Sequence, residues 1–278
     1  MQLVRSISQA KRIIAAQKKK GKRIGLVPTM GYLHEGHLSL VRIARRRCDY
    51  LVVSVFVNPA QFGPAEDLRQ YPRNLSRDMR LLRAEGVDLV FNPTPKAMYP
   101  RGYRTHVEVI EWSKLMCGVS RPMHFRGVTT VVLKLLNILT PDIAVFGRKD
   151  YQQAVIIRKM VKDLNLPVRI MTGKIVREPD GLAMSSRNTY LGKTQRENAV
   201  VLYDSLRWLR QAYIKGLRDP RLAKSKMASM IRRKKGRIDY VAIVDKNTLV
   251  PVEKIRKGTL VALAVFFGRT RLIDNTVL

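Results

Sequence analysis

This chain of 278 residues holds two cysteines, four histidines, two tryptophans and only 21 acidic residues. Cys48 and Cys117 cannot build a disulfide framework, which makes a reducing cytoplasm the expected compartment. No run of 18 apolar residues occurs, so no membrane-spanning helix is expected. The opening stretch, MQLVRSISQAKRIIAAQKKKGKR, lacks the long apolar core of a signal peptide and reads as an amphipathic helix. Internal repeats and low-complexity segments are absent. Aromatic residues make up 7% of the chain and are rarely interleaved with the basic runs, which argues against a dedicated nucleic-acid module.

The acid deficit leaves a large excess of positive charge. Lysine and arginine total 53, giving a formal net charge of +32. The basic residues cluster at 18–23, 45–47, 221–226 and 231–237, yet they also coat most predicted helices. Nonspecific binding to polyanions follows from such a coat, whatever else the chain does.

Stretches at 23–28, 50–59, 87–93, 143–147 and 168–176 read as strands without strict polar–apolar alternation, the one at 50–59 being the most continuously apolar. Helical patterns separate them at 36–47, between Ser76 and Gly86, at 128–139, and at 151–164. Ser76 is the expected N-cap of the second of these, and Gly86 its C-terminal stop. Strands of this kind alternating with helices predict a parallel sheet covered on both faces. Ligands of such sheets lie beyond the carboxyl ends of the strands. The composition changes near residue 177. A long helix over 194–215, a second basic helix and apolar strands at 239–245 and 259–268 predict a smaller α+β domain. The expected division is 1–176 and 177–278.

Half of the histidines fall in PTMGYLHEGHLSLV, where a strand turns into a helix. His34 and His37 flank Gly36. A helix start offers unpaired N–H groups and the positive end of a dipole, which favour phosphate, and imidazoles there can donate to phosphate oxygens. A metal site is the weaker reading, because no Cys or further His lies nearby as a third ligand. Three other loops carry chemistry. REPDGLAMSSRN has an Asp-Gly turn followed by hydroxyl and guanidinium donors suited to a triphosphate. FGRKDYQQ places Lys149 and Asp150 after a strand, followed by the neutral amides of Gln152 and Gln153. FVNPAQFGP adds Asn58 and Gln61 beside a turn. His106 reads as an ordinary strand residue, Cys117 as a small apolar filler, and Trp112 and Trp208 as structural.

Taken together, VPTMGYLHEGHLSLV, VSVFVNPAQFGPAEDLRQYPR, SRPMHFRGVTTVV, FGRKDYQQ, REPDGLAMSSRN and GRTRLIDN resemble the pantothenate synthetases, the pantoate–β-alanine ligases, nearly end to end. The HxGH element alone is shared by a wider adenylyl-transferring superfamily and would not name a substrate. The resemblance implies a Rossmann-like parallel-sheet domain that binds ATP and pantoate, a smaller α+β lid domain and a homodimer. It implies amide formation in two steps, with Mg–ATP, pantoate and β-alanine as substrates and no tightly bound organic cofactor. Pantoyl adenylate and pyrophosphate form first, and the amine of β-alanine then displaces AMP.

The resemblance also assigns residues. Met30, Gly31, Tyr32, Leu33, His34, Glu35, Gly36 and His37 correspond to an ATP segment, with His37 as the proton donor and His34 its catalytic neighbour. Gly147, Arg148, Lys149 and Asp150 form a second ATP segment. Val176, Met184, Ser185, Ser186 and Arg187 complete it. Gln61 corresponds to a contact of pantoate and β-alanine, and Gln153 to a second pantoate contact. Asn58 is placed with them. Residues for a metal are not indicated. Where the family usually reads FGEKD, this chain has Arg148, which reverses a charge in that loop. Two other readings stand beside this one: an HxGH nucleotidyltransferase with a different substrate, and a polyanion-binding protein on an inactive enzyme scaffold.

Overall fold

The apolar runs of the first half lie side by side as one parallel sheet. The computed structural model describes residues 1–64 and 66–278. They divide into two compact units. The first contains Met1–Ser113, Arg121–Arg148 and Gln153–Lys174; the second contains Lys114–Ser120, Lys149–Gln152 and Ile175–Leu278.

In chain order the first half forms β1 (Gln2–Val4), α1 (Ile7–Lys19), β2 (Ile24–Thr29), α2 (Glu35–Arg45), β3 (Tyr50–Val55), α3 (Leu75–Ala84) and β4 (Leu89–Phe91). There follow α4 (Pro95–Met98), α5 (Cys117–Ser120), α6 (His124–Leu139), β5 (Ile143–Gly147), α7 (Tyr151–Asp163) and β6 (Arg169–Gly173). The six strands run in the order β1-β4-β3-β2-β5-β6, and every pairing is parallel. β3 is buried along its whole length and β2 at five of its six positions. That is why neither shows a polar alternation: helices cover both faces. The chain proceeds outward from β2 through β3 and β4, then returns to β5 on the other side. The switch point of the sheet therefore lies between β2 and β5, where ligands of such sheets bind.

α6 is the most buried helix of this unit. Its β-branched start is buried, with Val128, Val131 and Val132 in the core, and the hydroxyls of Thr129 and Thr130 are satisfied by donating to the carbonyls of Phe125 and Arg126 at 2.8 and 2.7 Å. Thr130 Oγ1 also accepts from Val107 N at 3.0 Å.

Several boundaries differ from the sequence reading. The opening stretch is not helix throughout, because Gln2–Val4 pair with Leu89–Phe91 and extend the sheet edge. Three residues are too few to show a period. α3 is capped by Asn74, whose side chain accepts from Arg77 N at 3.0 Å, rather than by Ser76. Both residue types cap well, and the one able to reach an N–H of the first turn prevails. Gly86 does stop the helix, at φ +69°. His106 lies in irregular backbone, not in a strand, with its ring 5.8 Å from that of Tyr103.

In the second unit, α8 (Lys193–Ala199), α9 (Val201–Ile214) and α10 (Pro220–Arg233) pack on an antiparallel sheet, β7 (Arg237–Asp245), β8 (Thr259–Phe267) and β9 (Thr270–Val277). The single helix read over 194–215 is interrupted at Val200, which keeps helical angles of −58° and −27°. Leu202, Leu206 and Leu209 are buried as the spacing suggested. The sequence reading missed β9. Its polar residues hid it, because Asp274 and Asn275 are buried and bonded rather than solvated. No helix among the described residues is long and apolar enough to cross a membrane.

Candidate functional site

The loop after β2 is fixed by an unusual set of caps. His34 is the N-cap of α2, and its Nδ1 accepts the N–H of Gly36 at 3.1 Å. His37 Nδ1 accepts the N–H of His34 at 3.3 Å, closing a reciprocal capping box built from two imidazoles. The rings lie 4.1 Å apart. An Nδ1 that accepts a backbone N–H carries no proton, so the neutral rings carry theirs on Nε2. Each imidazole thus links a helix-terminal N–H to an Nε2–H donor.

The backbone amides of the turn before α2 are bonded within the protein. Gly31 N donates to Thr29 Oγ1 at 3.2 Å, and Tyr32 N and Leu33 N donate to the carboxylate of Asp78, each at 2.8 Å. At the positive end of α2 the two imidazoles accept from His34 N and Gly36 N. Gly31 has a left-handed φ of +84° that disfavours a side chain, and a Cβ there would press on Asp78 Oδ2 and Val55 Cγ1, each at 3.0 Å. Met30 and Tyr32 are half-buried, and Leu33 is fully buried. Glu35, exposed in the first turn, pairs with Arg42, which also binds Glu85 at 2.9 Å. These two carboxylates hold the Arg42 guanidinium well above its ordinary pKa.

The β3 loop carries Asn58 and Gln61 in a 3₁₀ turn, Pro59–Gln61. Asn58 is buried and fully employed. Its Oδ1 accepts from Tyr99 Oη at 2.7 Å and Ala60 N at 3.3 Å, and its Nδ2 donates to Gly127 O at 3.1 Å and Gln61 Oε1 at 3.2 Å. Because Gln61 Oε1 is held as an acceptor, Gln61 Nε2 is the donor end, 3.1 Å from Met30 Sδ. The backbone carbonyl of Gln61 is gripped by Arg121 at 3.3 Å and approached by His124 Nδ1 at 2.9 Å. A Cβ at residue 127 would lie 2.1 Å from Ala60 O, so α6 can support this turn only through glycine.

After β5, Gly147 is half-buried and Arg148 is exposed. Gln153 is half-buried in the first turn of α7. Within the second unit, Lys149 Nζ donates to Met184 O at 3.0 Å. Burial pushes the Lys149 pKa down, opposed by Asp150 and Asp274. Asp150 is exposed. Val176 O accepts from Met184 N at 3.0 Å, and Ser185 Oγ accepts from Arg187 N at 3.3 Å. Ser186 is buried. The Asp-Gly turn forms as read, with Gly181 at φ +96°. Gln152 differs from its sequence reading as a ligand amide. It binds Cys117 N at 3.1 Å and Leu115 O at 2.7 Å, holding the turn before α5.

The structure thus joins His34 to His37, Asn58 to Gln61 and Met30, and Lys149 to Met184. Sequence reasoning missed Arg77, Asp78, Tyr99 and Arg121, which hold the loops. Only the tertiary fold brings them there, from other elements of the chain. Among the described residues no three His, Cys, Asp or Glu side chains gather as a metal site.

The sequence model of the pantoate-beta-alanine ligases matches residues 2–277. The chain belongs to the pantoate–β-alanine ligase family. The pantothenate synthetase of Acetivibrio thermocellus is 54% identical over 278 residues, spanning 100% of this chain and 99% of that protein. The crystal structure of pantothenate synthetase from Thermus thermophilus matches with a TM-score of 0.95 at 43% identity, over 100% of this chain and 99% of that one. The pantoate-beta-alanine ligase of Francisella tularensis, solved with beta-gamma ATP and beta-alanine, matches at 0.84 and 36% identity, over 100% and 97%. This pantoate–β-alanine ligase family member has the Rossmann-like parallel sheet and small antiparallel sheet expected from its motifs.

Proposed function

We propose that the chain condenses pantoate with β-alanine at the expense of ATP, through a pantoyl-adenylate intermediate. Family membership supports the overall reaction, and the paired imidazoles at the start of α2 carry the chemical reading. A carboxylate is a poor acyl donor at neutral pH. Attack of a pantoate carboxylate oxygen on the α-phosphorus breaks the bond to pyrophosphate and makes AMP the later leaving group. The β-alanine amine then attacks the acyl carbon, AMP departs, and the amine loses a proton. The enzyme's part is positioning and stabilisation of developing charge.

In this reading His37, with His34 beside it, donates from Nε2 to the phosphate oxygens as pyrophosphate leaves. Met30–His37 and Gly147–Asp150 bind ATP, as do Val176 and Met184–Arg187. Gln61 and Gln153 bind pantoate, and Asn58 fixes the Gln61 amide so that Nε2 is its donor end. Magnesium belongs to the nucleotide substrate, held mainly by its phosphates. We further assign a homodimer, a cytoplasmic setting and two domains at 1–176 and 177–278.

The deciding experiment omits each substrate in turn. Pyrophosphate release from ATP should require pantoate but not β-alanine, and AMP release should require both. Pyrophosphate that appears only with β-alanine present would remove the adenylate step. Pyrophosphate release independent of pantoate would favour the other nucleotidyltransferase reading.

A further inference from the structure

We propose that Arg77 and Asp78, consecutive on α3, are positioning residues: they clamp the 31–33 turn and so fix where the two imidazoles stand. The proposal rests on the reading of loop 30–37 as the nucleotide segment.

The two side chains grip opposite polarities of one short stretch of backbone. Asp78, 1% exposed, accepts from Tyr32 N at Oδ2 and from Leu33 N at Oδ1, both at 2.8 Å. Arg77 Nη1 donates to Leu33 O at 2.7 Å, and its guanidinium lies 5.5 Å from the centre of the Tyr32 ring. The very next residue, His34, begins the imidazole capping box.

The backbone held in this way does not hold itself. Gly31 and Tyr32 both have left-handed φ values, +84° and +51°. Such a conformation at a tyrosine persists only where its surroundings over-determine it. Successive N–H groups in this kind of turn form a concavity that attracts anions. Here the protein's own carboxylate fills it. Burial disfavours the charged carboxylate, and the two N–H groups and Arg77 offset that only in part. A buried anion in the loop assigned to a polyanionic nucleotide is unfavourable in itself. Holding the turn supplies a physical reason for it.

The pantoate residues are held differently. Asn58 and the Gln61 backbone depend on Tyr99, Gly127 and Arg121, none of which lies on α3 or in the 30–37 loop; only the Gln61 Nε2 contact with Met30 Sδ reaches that loop. A loosened 31–33 turn should therefore affect ATP far more than pantoate, whose site it reaches only through the Met30 contact.

The test uses Asp78→Asn and Arg77→Gln in the full chain. It measures kcat and KM for each substrate by pantoate-dependent pyrophosphate release, and amide hydrogen exchange across 30–38. Asp78→Asn sets an NH2 against one of the two N–H donors. It should speed exchange at Tyr32 and Leu33 and lower kcat/KM for ATP by about ten- to a hundredfold. Arg77→Gln, at a half-buried position, should show the same pattern at about three- to tenfold. The KM for pantoate should stay within about twofold in both. Should Asp78→Asn fail to fold, Arg77→Gln decides alone. Wild-type kcat/KM for ATP in a folded variant, or unchanged exchange at 32–33, overturns the clamp. His37→Ala, run alongside, separates the two ideas: a defective His37→Ala with unaffected clamp variants rejects only the clamp. A fully active His37→Ala rejects the reading of the loop itself.

Discussion

His37 Nδ1 accepts the backbone N–H of His34, while His34 Nδ1 accepts that of Gly36. Capping and chemistry therefore reside in the same two rings, and substitution can separate them. His34→Asn keeps a favourable N-cap, so stability should change by less than about 0.5 kcal/mol, whereas His34→Ala should lose about 1 kcal/mol. His37→Ala should slow pantoate-dependent pyrophosphate release by about two to four orders of magnitude. Urea unfolding and the pyrophosphate assay check the two halves independently.

Gln61→Ala and Gln153→Ala should each raise the KM for pantoate more than that for ATP. Asn58→Asp is the sharper probe, because it replaces the donor facing Gln61 Oε1 with an acceptor. Repulsion should turn the Gln61 amide and raise the KM for pantoate by about tenfold or more, as expected for a buried polar group left facing the wrong partner. Steady-state kinetics with pantoate varied at saturating ATP reads this directly.

Gly127→Ala places a methyl group 2.1 Å from Ala60 O, against backbone rather than the end of a flexible side chain. Overpacking of this kind costs about 1–3 kcal/mol. The turn bearing Gln61 must shift, so thermal stability and pantoate affinity should fall together. Calorimetry and pantoate titration of one preparation would show both; a loss of stability with pantoate affinity intact would break the link.

The buried Asp78 carboxyl titrates above its ordinary range because burial opposes its charge. An acid whose folded pKa is raised contributes stability below its unfolded pKa and loses it as pH rises through the folded value. The stability advantage of the wild type over Asp78→Asn should therefore be largest near pH 3. It should shrink as pH rises past about 4 and through the raised folded value. Denaturant unfolding of the pair at several pH values gives the difference, with all other carboxylates cancelling. An advantage that grows toward neutral pH contradicts the raised pKa.

The basic coat makes a separate prediction. Lys226 and Arg232–Lys235 are exposed, and none of them enters a salt bridge among the described residues. DNA or RNA should bind with little sequence preference, and log affinity should fall linearly with log salt concentration. Neutralising Arg232–Lys235 should flatten that slope, while turnover at saturating substrate changes little. Fluorescence anisotropy across a salt series measures the slope; tight sequence-specific binding at high salt would refute this account of the charge.

Much of the architecture was legible because burial on both faces leaves a direct mark. Residues 50–53 and 143–147 are uninterrupted apolar runs because helices cover both sides of the sheet. The histidine pair was legible as a helix start, since the strand and the periodic helix on either side fix where the chain must turn. What the sequence could not determine were relationships at long range. Asp78 looks like an ordinary polar residue of an amphipathic helix. Only packing of α3 against the β2 loop makes it the acceptor for Tyr32 and Leu33. β9 was hidden because the partners of its buried polar residues lie far along the chain, with Arg177 bound to Asp274. The helix start at α2 was legible, but the partners of the amides around it were not. Two imidazoles accept from His34 N and Gly36 N at the helix start, and a carboxylate distant in the chain accepts from Tyr32 N and Leu33 N in the turn before it. Local periodicity and turn chemistry are written in neighbouring residues, whereas hydrogen bonds between distant elements depend on three-dimensional placement that no short stretch of sequence encodes.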